Sequence, residues 1–396
     1  MTTLFPVYEV GSLPKLSARV NALRGTEVSK SDLQQLRYFA VRTGLDISPC
    51  LEIVSRVQRE QRKCTAQEKE TLIDLNSALN LKLQEYCGLD YVYDGEARRT
   101  EMYRHAAQQI EGFVDLPEMI RSRGPDSWRM AVCAAEPRLK SSLDTLPIVQ
   151  EFSFVQQRAQ RAVKIPLDDP YMIAVMSDNK YYTEKLREQY AGNPAQLRYE
   201  AKKEFTLALA RNIIRPHVEA VVKRGAPWIQ LDAPAATLDL EHIPILVAGL
   251  NAVVEGIDRV KFSVHFCYPR RVSLMAKSGY ELLFPSLLDL HPNITHFSLE
   301  LANADTYEQD LQPFAWQDRK FEIGVGVVDI TLEQQYRGTL ETKEVIRNRI
   351  VQAAEVLGDA HLVYVAPDCG LRQLSLERCE KIYDVMVAGA ELARKG

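Results

Sequence analysis

Residues 361–370 read HLVYVAPDCG: a run of β-forming residues that stops on an acid, a cysteine and a glycine, the pattern of a strand that ends in reactive groups. Seven other runs have the same form: VYEVGS (7–12), YVYDGE (91–96), YMIAVMS (171–177), WIQLDAP (228–234), KFSVHFC (261–267), THFSLE (295–300) and FEIGVGVVD (321–329). Helical patterns separate them. The clearest covers 65–87, where Thr65 and Glu68 make a capping box, Leu72, Leu75, Leu79, Leu83 and Tyr86 form one apolar stripe, and Gly88 supplies the stop. Strands alternating with helices predict an α/β fold, a (β/α)8 TIM barrel, with a helical insertion at 15–90 after the first strand and a strand or hairpin insertion at 128–165 before the third. A doubly wound sheet fits less well, because Gly324-Val325-Gly326 lacks the third glycine and the helix start of a dinucleotide site. With no Pro/Gly linker, repeat or low-complexity tract, residues 1–396 read as a single catalytic domain.

With 46% hydrophobic and 26% charged residues, the chain can bury a large core. A net charge of −4 and no basic block interleaved with aromatics leave no electrostatic footprint for nucleic acid. No apolar run reaches the ~18 residues a membrane span needs, and MTTLFPVYEV has no charged segment followed by an apolar one, so a cytoplasmic location with no membrane partner is expected. Seven cysteines are an odd number for a disulfide framework. Cys50, Cys64, Cys87, Cys133 and Cys379 sit within or beside regular patterns and read as packing.

In a barrel of this kind the C-terminal strand ends share one mouth, where the chemistry is kept. His265 and Cys267 are two apart on a strand and leave the same face. Glu300 and Cys369 end two other runs and complete a set of two thiolates, an imidazole and a carboxylate, which suits tetrahedral Zn2+ better than magnesium or calcium. The remaining tips bring Gly11-Ser12, Asp94-Gly95-Glu96 and Asp232. A thiol held on such a metal loses its proton yet stays nucleophilic, because the other thiolates already neutralise the ion.

These residues carry a resemblance. VGSLP (10–14), YDGEARRTEMY (93–103), IQLDAPA (229–235), HFCY (265–268), the Glu300 run, EIGVGVVD (322–329) and APDCGL (366–371) resemble, in order, the C-terminal catalytic barrel of cobalamin-independent methionine synthases and its short single-barrel core forms, without the N-terminal folate-binding half. The resemblance implies a zinc-dependent methyltransferase making methionine from homocysteine. It assigns the metal to His265, Cys267, Glu300 and Cys369, the amino acid's carboxylate to Val10, Gly11 and Ser12, its ammonium to Glu96 and Asp232, and a catalytic role to Asp329.

Three departures bear on the methyl donor. Ala233 replaces the family's glutamate in Asp-Glu-Pro-Ala, the tryptophan-serine wall after the third strand is not evident at VMSDNKYY (175–182), and Thr331 stands where a histidine follows Asp329. Folate N5 leaves poorly unless protonated, and threonine is no general acid. The expected donor is therefore a methyl-corrinoid, either methylcobalamin or a methylated corrinoid protein as partner. Methyltetrahydrofolate as donor, or a related zinc enzyme acting on coenzyme M, are the alternatives. The arginines of ARRTEMYRH (97–105) read as a solvated helix face.

Overall fold

The computed structural model describes residues 3–99, 102–123, 126–236, 238–268, 279–302, 306–331 and 339–395. Thr100 and Glu101 of the second motif, and 332–334 of VVDITLEQ, lie outside them. In chain order the strands are β1 (Tyr91–Val92), β2 (Ile110–Arg123), β3 (Asp126–Leu139), β4 (Ala162–Asp168), β5 (Trp228–Asp232), β6 (Lys261–Phe266), β7 (Ile294–Leu299), β8 (Glu322–Gly326) and β9 (Val363–Ala366). β1 and β4 to β9 form one sheet in sequence order, and every pairing in it is parallel. Its two edges meet on residues 7 and 8, since Val7 bridges Val365 of β9 and Tyr8 bridges Tyr91 of β1. The Tyr8 N–H donates to the Val365 carbonyl at 2.9 Å. This closes a (β/α)8 barrel, with helices such as Pro194–Leu209, Ile243–Val254, Lys343–Leu357 and Leu376–Arg394 in the intervening segments. No described helix is long and apolar enough to cross a membrane.

The third barrel strand is not where the sequence pattern puts it. Residues 170–176 are a helix, with Asp169 as N-cap accepting from Tyr171 and Met172 and with Pro170 in the first turn; the strand is β4, just before it. A short run that is apolar on all sides fits a buried helix as well as a strand, and Pro170 to Ala174 are all buried. The insertion is also displaced. Its hairpin, β2 against β3, begins at Ile110 rather than 128, because Gly112 and Pro117 disguise the first arm. Gly112 has φ 93°, and the register shifts beside it, as at a bulge.

The helix Ala66–Cys87 carries the expected capping box and ends on Gly88 with φ 88°. Tyr86 falls off the stripe and is 49% exposed. The helix also buries a polar row that holds the loop after β1: Ser77 donates to the Asp94 carboxylate at 2.7 Å, Asn80 to the Asp94 carbonyl at 3.0 Å, and Gln84 to the Tyr93 carbonyl at 2.5 Å. That loop turns at Gly95, with φ 67°, where an added Cβ would lie 2.5 Å from Leu13 Cβ. Gly95→Ala is therefore expected to cost about 2–4 kcal/mol, from left-handed backbone strain plus overpacking, read by chemical denaturation.

The lower end of the barrel is filled. Tyr8, Trp228, His296 and Tyr364 pack together, Tyr8 tilted on Trp228 and His296 edge to face with Trp228 and Tyr364, with the Trp228 and His296 rings 4.9 Å apart. Lys261 Nζ stands 3.8 Å over the Tyr364 ring and 2.6 Å from Glu322. The open end is the mouth formed by the C-terminal ends of the strands.

Candidate active site at the barrel mouth

One ligand atom from each of His265, Cys267, Glu300 and Cys369 lies within 4.8 Å of the others. His265 Nε2 is 3.8 Å from Cys267 Sγ and 3.4 Å from Cys369 Sγ. Tetrahedral zinc, with bonds of about 2.3 Å to sulfur and 2.0–2.1 Å to nitrogen, separates such atoms by roughly 3.5 Å, so the donors suit that ion in type and the two histidine–cysteine pairs suit it in spacing. Three strands supply them: β6 ends between His265 and Cys267, β7 just before Glu300, and β9 shortly before Cys369.

The surroundings aim these groups. His265 Nδ1 donates to the Ser298 carbonyl at 3.1 Å, which leaves Nε2 for a metal. The Tyr280 hydroxyl accepts from the Glu300 N–H at 2.9 Å and lies 3.1 Å from the Phe266 carbonyl, tying the tips of β6 and β7 together. Asp368, fully buried, accepts from the Leu301 and Ala302 N–H groups at 2.9 and 2.8 Å and so holds the Glu300 loop against the strand that carries Cys369. Burial alone would push the His265 imidazole down, but Cys369, Asp232 and Glu300 outweigh it and lift the group to about 9. Metal binding must displace that proton.

The expected substrate residues gather beside the metal set. Asp232 is in register with His265 on the neighbouring strand. An added Cβ at Gly11 would lie 3.1 Å from Glu96 Oε1, and one at Gly370 would lie 2.5 Å from Ser12 Oγ. Gly11-Ser12 thus spans from the Glu96 carboxylate to the residue after Cys369. The Val10 carbonyl accepts from Lys164 Nζ at 2.6 Å and Gln230 Nε2 at 2.8 Å, and Gln230 also donates to Asp232 at 2.7 Å. Burial raises the Glu96 carboxyl against the pull of Arg99, and raises Asp232 against His265 and Lys164. Asp329 is half-buried beyond β8, where its carboxylate accepts from the Thr331 N–H at 2.8 Å.

Several residues of the mouth escape sequence reasoning. Asp168 ends β4 in register with Asp232; it was hidden by the misplaced third strand, although Asp-Asp-Pro is an N-cap and first-turn signal that ends a strand. Arg99 is not on a solvated face. It is 8% exposed, donates to Glu151 at 2.7 Å and to the Pro166 carbonyl at 2.7 Å, and stands 3.3 Å from Glu96. Arg98 is half-buried, pairing with Glu70 and Asp74 and lying over the Phe154 ring. Removing Glu151 strips the buried Arg99 of its shorter ion pair and leaves it only Glu96 at 3.3 Å, so Glu151→Leu is expected to lose about 3 kcal/mol in denaturant unfolding.

The chain is similar to several known proteins. Residues 52–392 match the family described as cobalamin-independent synthase, catalytic domain. Methionine synthase of Pyrococcus horikoshii is 30% identical over 83% of this chain and 84% of its own, and that of Thermoplasma acidophilum is 32% identical over 75% and 82%. The B12-independent methionine synthase of a Shewanella species, solved with selenomethionine, shares the fold at TM-score 0.73 and 20% identity over 99% of this chain and 98% of its own.

A family that works without cobalamin overturns the expected methyl-corrinoid donor, both as methylcobalamin and as a corrinoid protein partner. The reasoning behind that expectation fails on two physical points. Residues 175–182 say nothing of a tryptophan-serine wall, because they include the end of a helix and do not follow a strand tip. And Thr331 does not leave the mouth without an acidic group, because Asp168, in register with Asp232 on the neighbouring strand, is a carboxyl that burial raises well above its ordinary range. The chain belongs to the cobalamin-independent methionine synthase family through its catalytic domain, and it is a methyltransferase.

Proposed function

We propose that the protein, acting as one catalytic domain over residues 1–396, transfers a methyl group from methyltetrahydrofolate to the sulfur of homocysteine and releases methionine. The observation that carries this reading is the set of four soft and borderline donors within 4.8 Å of one another, beside two carboxylates and a glycine-serine turn. His265, Cys267, Glu300 and Cys369 would hold zinc, which when bound keeps a thiol sulfur ionised at neutral pH. Glu96 and Asp232 take the substrate ammonium, two carboxylates for one cation. The backbone of Val10 to Ser12 and the Ser12 hydroxyl take its carboxylate, as N–H groups and a hydroxyl do for an anion. Lys164 and Gln230 fix that backbone through the Val10 carbonyl. Family membership favours a folate over a corrinoid as donor.

Zinc-loaded protein incubated with homocysteine and methyltetrahydrofolate is expected to form methionine, and the zinc X-ray absorption spectrum to gain one sulfur neighbour when homocysteine is added. A shell unchanged by homocysteine, or no methionine from this pair, overturns the reading.

A further inference from the structure

In β4 the side chains of Lys164 and Pro166 point into the barrel: Lys164 Nζ reaches the Val10 carbonyl and Gln230, and Pro166 lies 3.6 Å from an added Cβ at Gly11. Strand alternation puts Asp168 on the same face, two residues on, at the mouth. Its neighbour in register is Asp232, whose strand likewise turns Trp228, Gln230 and Asp232 inward. In ring order, the strand tips of β1, β4 and β5 carry Glu96, Asp168 and Asp232, and those of β6, β7 and β9 carry the metal donors. The mouth therefore has an acid wall and a metal wall.

Three carboxyls are one more than a single ammonium requires. Glu96 faces Arg99 at 3.3 Å, and Asp232 accepts from Gln230 at 2.7 Å. The half-buried Asp168 carboxyl has no hydrogen bond to another described residue. The charged groups around it are Arg99, Glu96, Asp232 and Asp169, with Lys164 on its own strand. Burial raises this carboxyl well above the usual range, and its three acidic neighbours add to the rise against the pull of Arg99.

We propose that Asp168 is the general acid that protonates the leaving nitrogen of the methyl donor. This rests on methyltetrahydrofolate being that donor. A sulfur lone pair forms the S–CH3 bond, the CH3–N5 bond breaks, and its electron pair takes the Asp168 proton as an N5–H bond. Asp168 is left as a carboxylate and regains its proton from water. An in-line displacement puts the leaving nitrogen on the side of the methyl away from the sulfur, and hence away from the metal wall. Asp168 then supplies the proton that Thr331 cannot.

The test compares the zinc-loaded wild type, Asp168→Asn and Asp168→Glu with two donors, methyltetrahydrofolate and methyl iodide; iodide leaves without a proton. Asp168→Asn is expected to lower kcat with the folate about 10²–10⁴-fold, to keep homocysteine alkylation by methyl iodide within about twofold, and to leave the KM for homocysteine nearly unchanged, while Asp168→Glu restores part of the loss. In the wild type, kcat with the folate falls as pH rises through the acid's titration, and this alkaline limb is absent from Asp168→Asn. Equal loss with both donors, or a rise in homocysteine KM alone, overturns the role of Asp168 and leaves the folate reading standing. A wild type that uses methyl iodide but not the folate overturns the folate reading itself.

Discussion

Cys369→Ala is expected to abolish metal retention on gel filtration and to lower methionine formation by at least about 10³-fold, a larger loss than the 10–100-fold typical of groups that only support a ligand. Cys369 Sγ lies 3.4 Å from His265 Nε2, and both belong to the set of donors within 4.8 Å of one another. With the thiol gone, the three remaining donors come from only two strands and no longer enclose an ion. The metal-free variant should unfold within about 1 kcal/mol of the metal-free wild type, since Cys369 is only half-buried and supports little packing. Metal content by atomic emission, turnover by mass spectrometry and a denaturant curve separate loss of the ion from loss of the fold. Full metal occupancy and turnover in this variant would show that the donor set is wrong.

Asp232→Asn should lower kcat/KM for homocysteine by about 10–150-fold, the equivalent of the 1.5–3 kcal/mol that a hydrogen bond to a charged group contributes. The loss should depend on the substrate's ammonium. The comparison thiol is 4-mercaptobutyrate, which is homocysteine without its amino group. The wild type should prefer homocysteine strongly, and Asp232→Asn should lose most of that preference while treating 4-mercaptobutyrate much as the wild type does. Equal losses on both thiols would place Asp232 with the metal and its ligand His265 rather than with the ammonium.

The grouping of His265, Cys267, Glu300 and Cys369 was readable from sequence because a strand has a period of two: His265 and Cys267 share a face whatever the rest of the fold does. The barrel was readable because most of its strands end on polar residues next to helices with clear stops, as at Gly88. Reading failed where two structures share one pattern. Residues 171–177 are apolar enough for a strand or a buried helix, and read as a strand they conceal Asp168, the true strand end, and shift the expected pterin surface off the strand tip. Arg99 failed differently. A run of arginines looks solvated unless its partner is known, and the partner, Glu151, lies far along the chain. Tyr280 and Asp368 support the metal donors through backbone groups of other strands, contacts that no local pattern encodes.

The seam of the barrel joins residue 7 to residue 365, and Ser12 on one side of it packs against Gly370 on the other. A nascent chain emerging from the ribosome therefore carries no working pocket until residue 370 has been made, and the first strand must wait unpaired for the last. Substrate present during synthesis can then stabilise only the closed barrel.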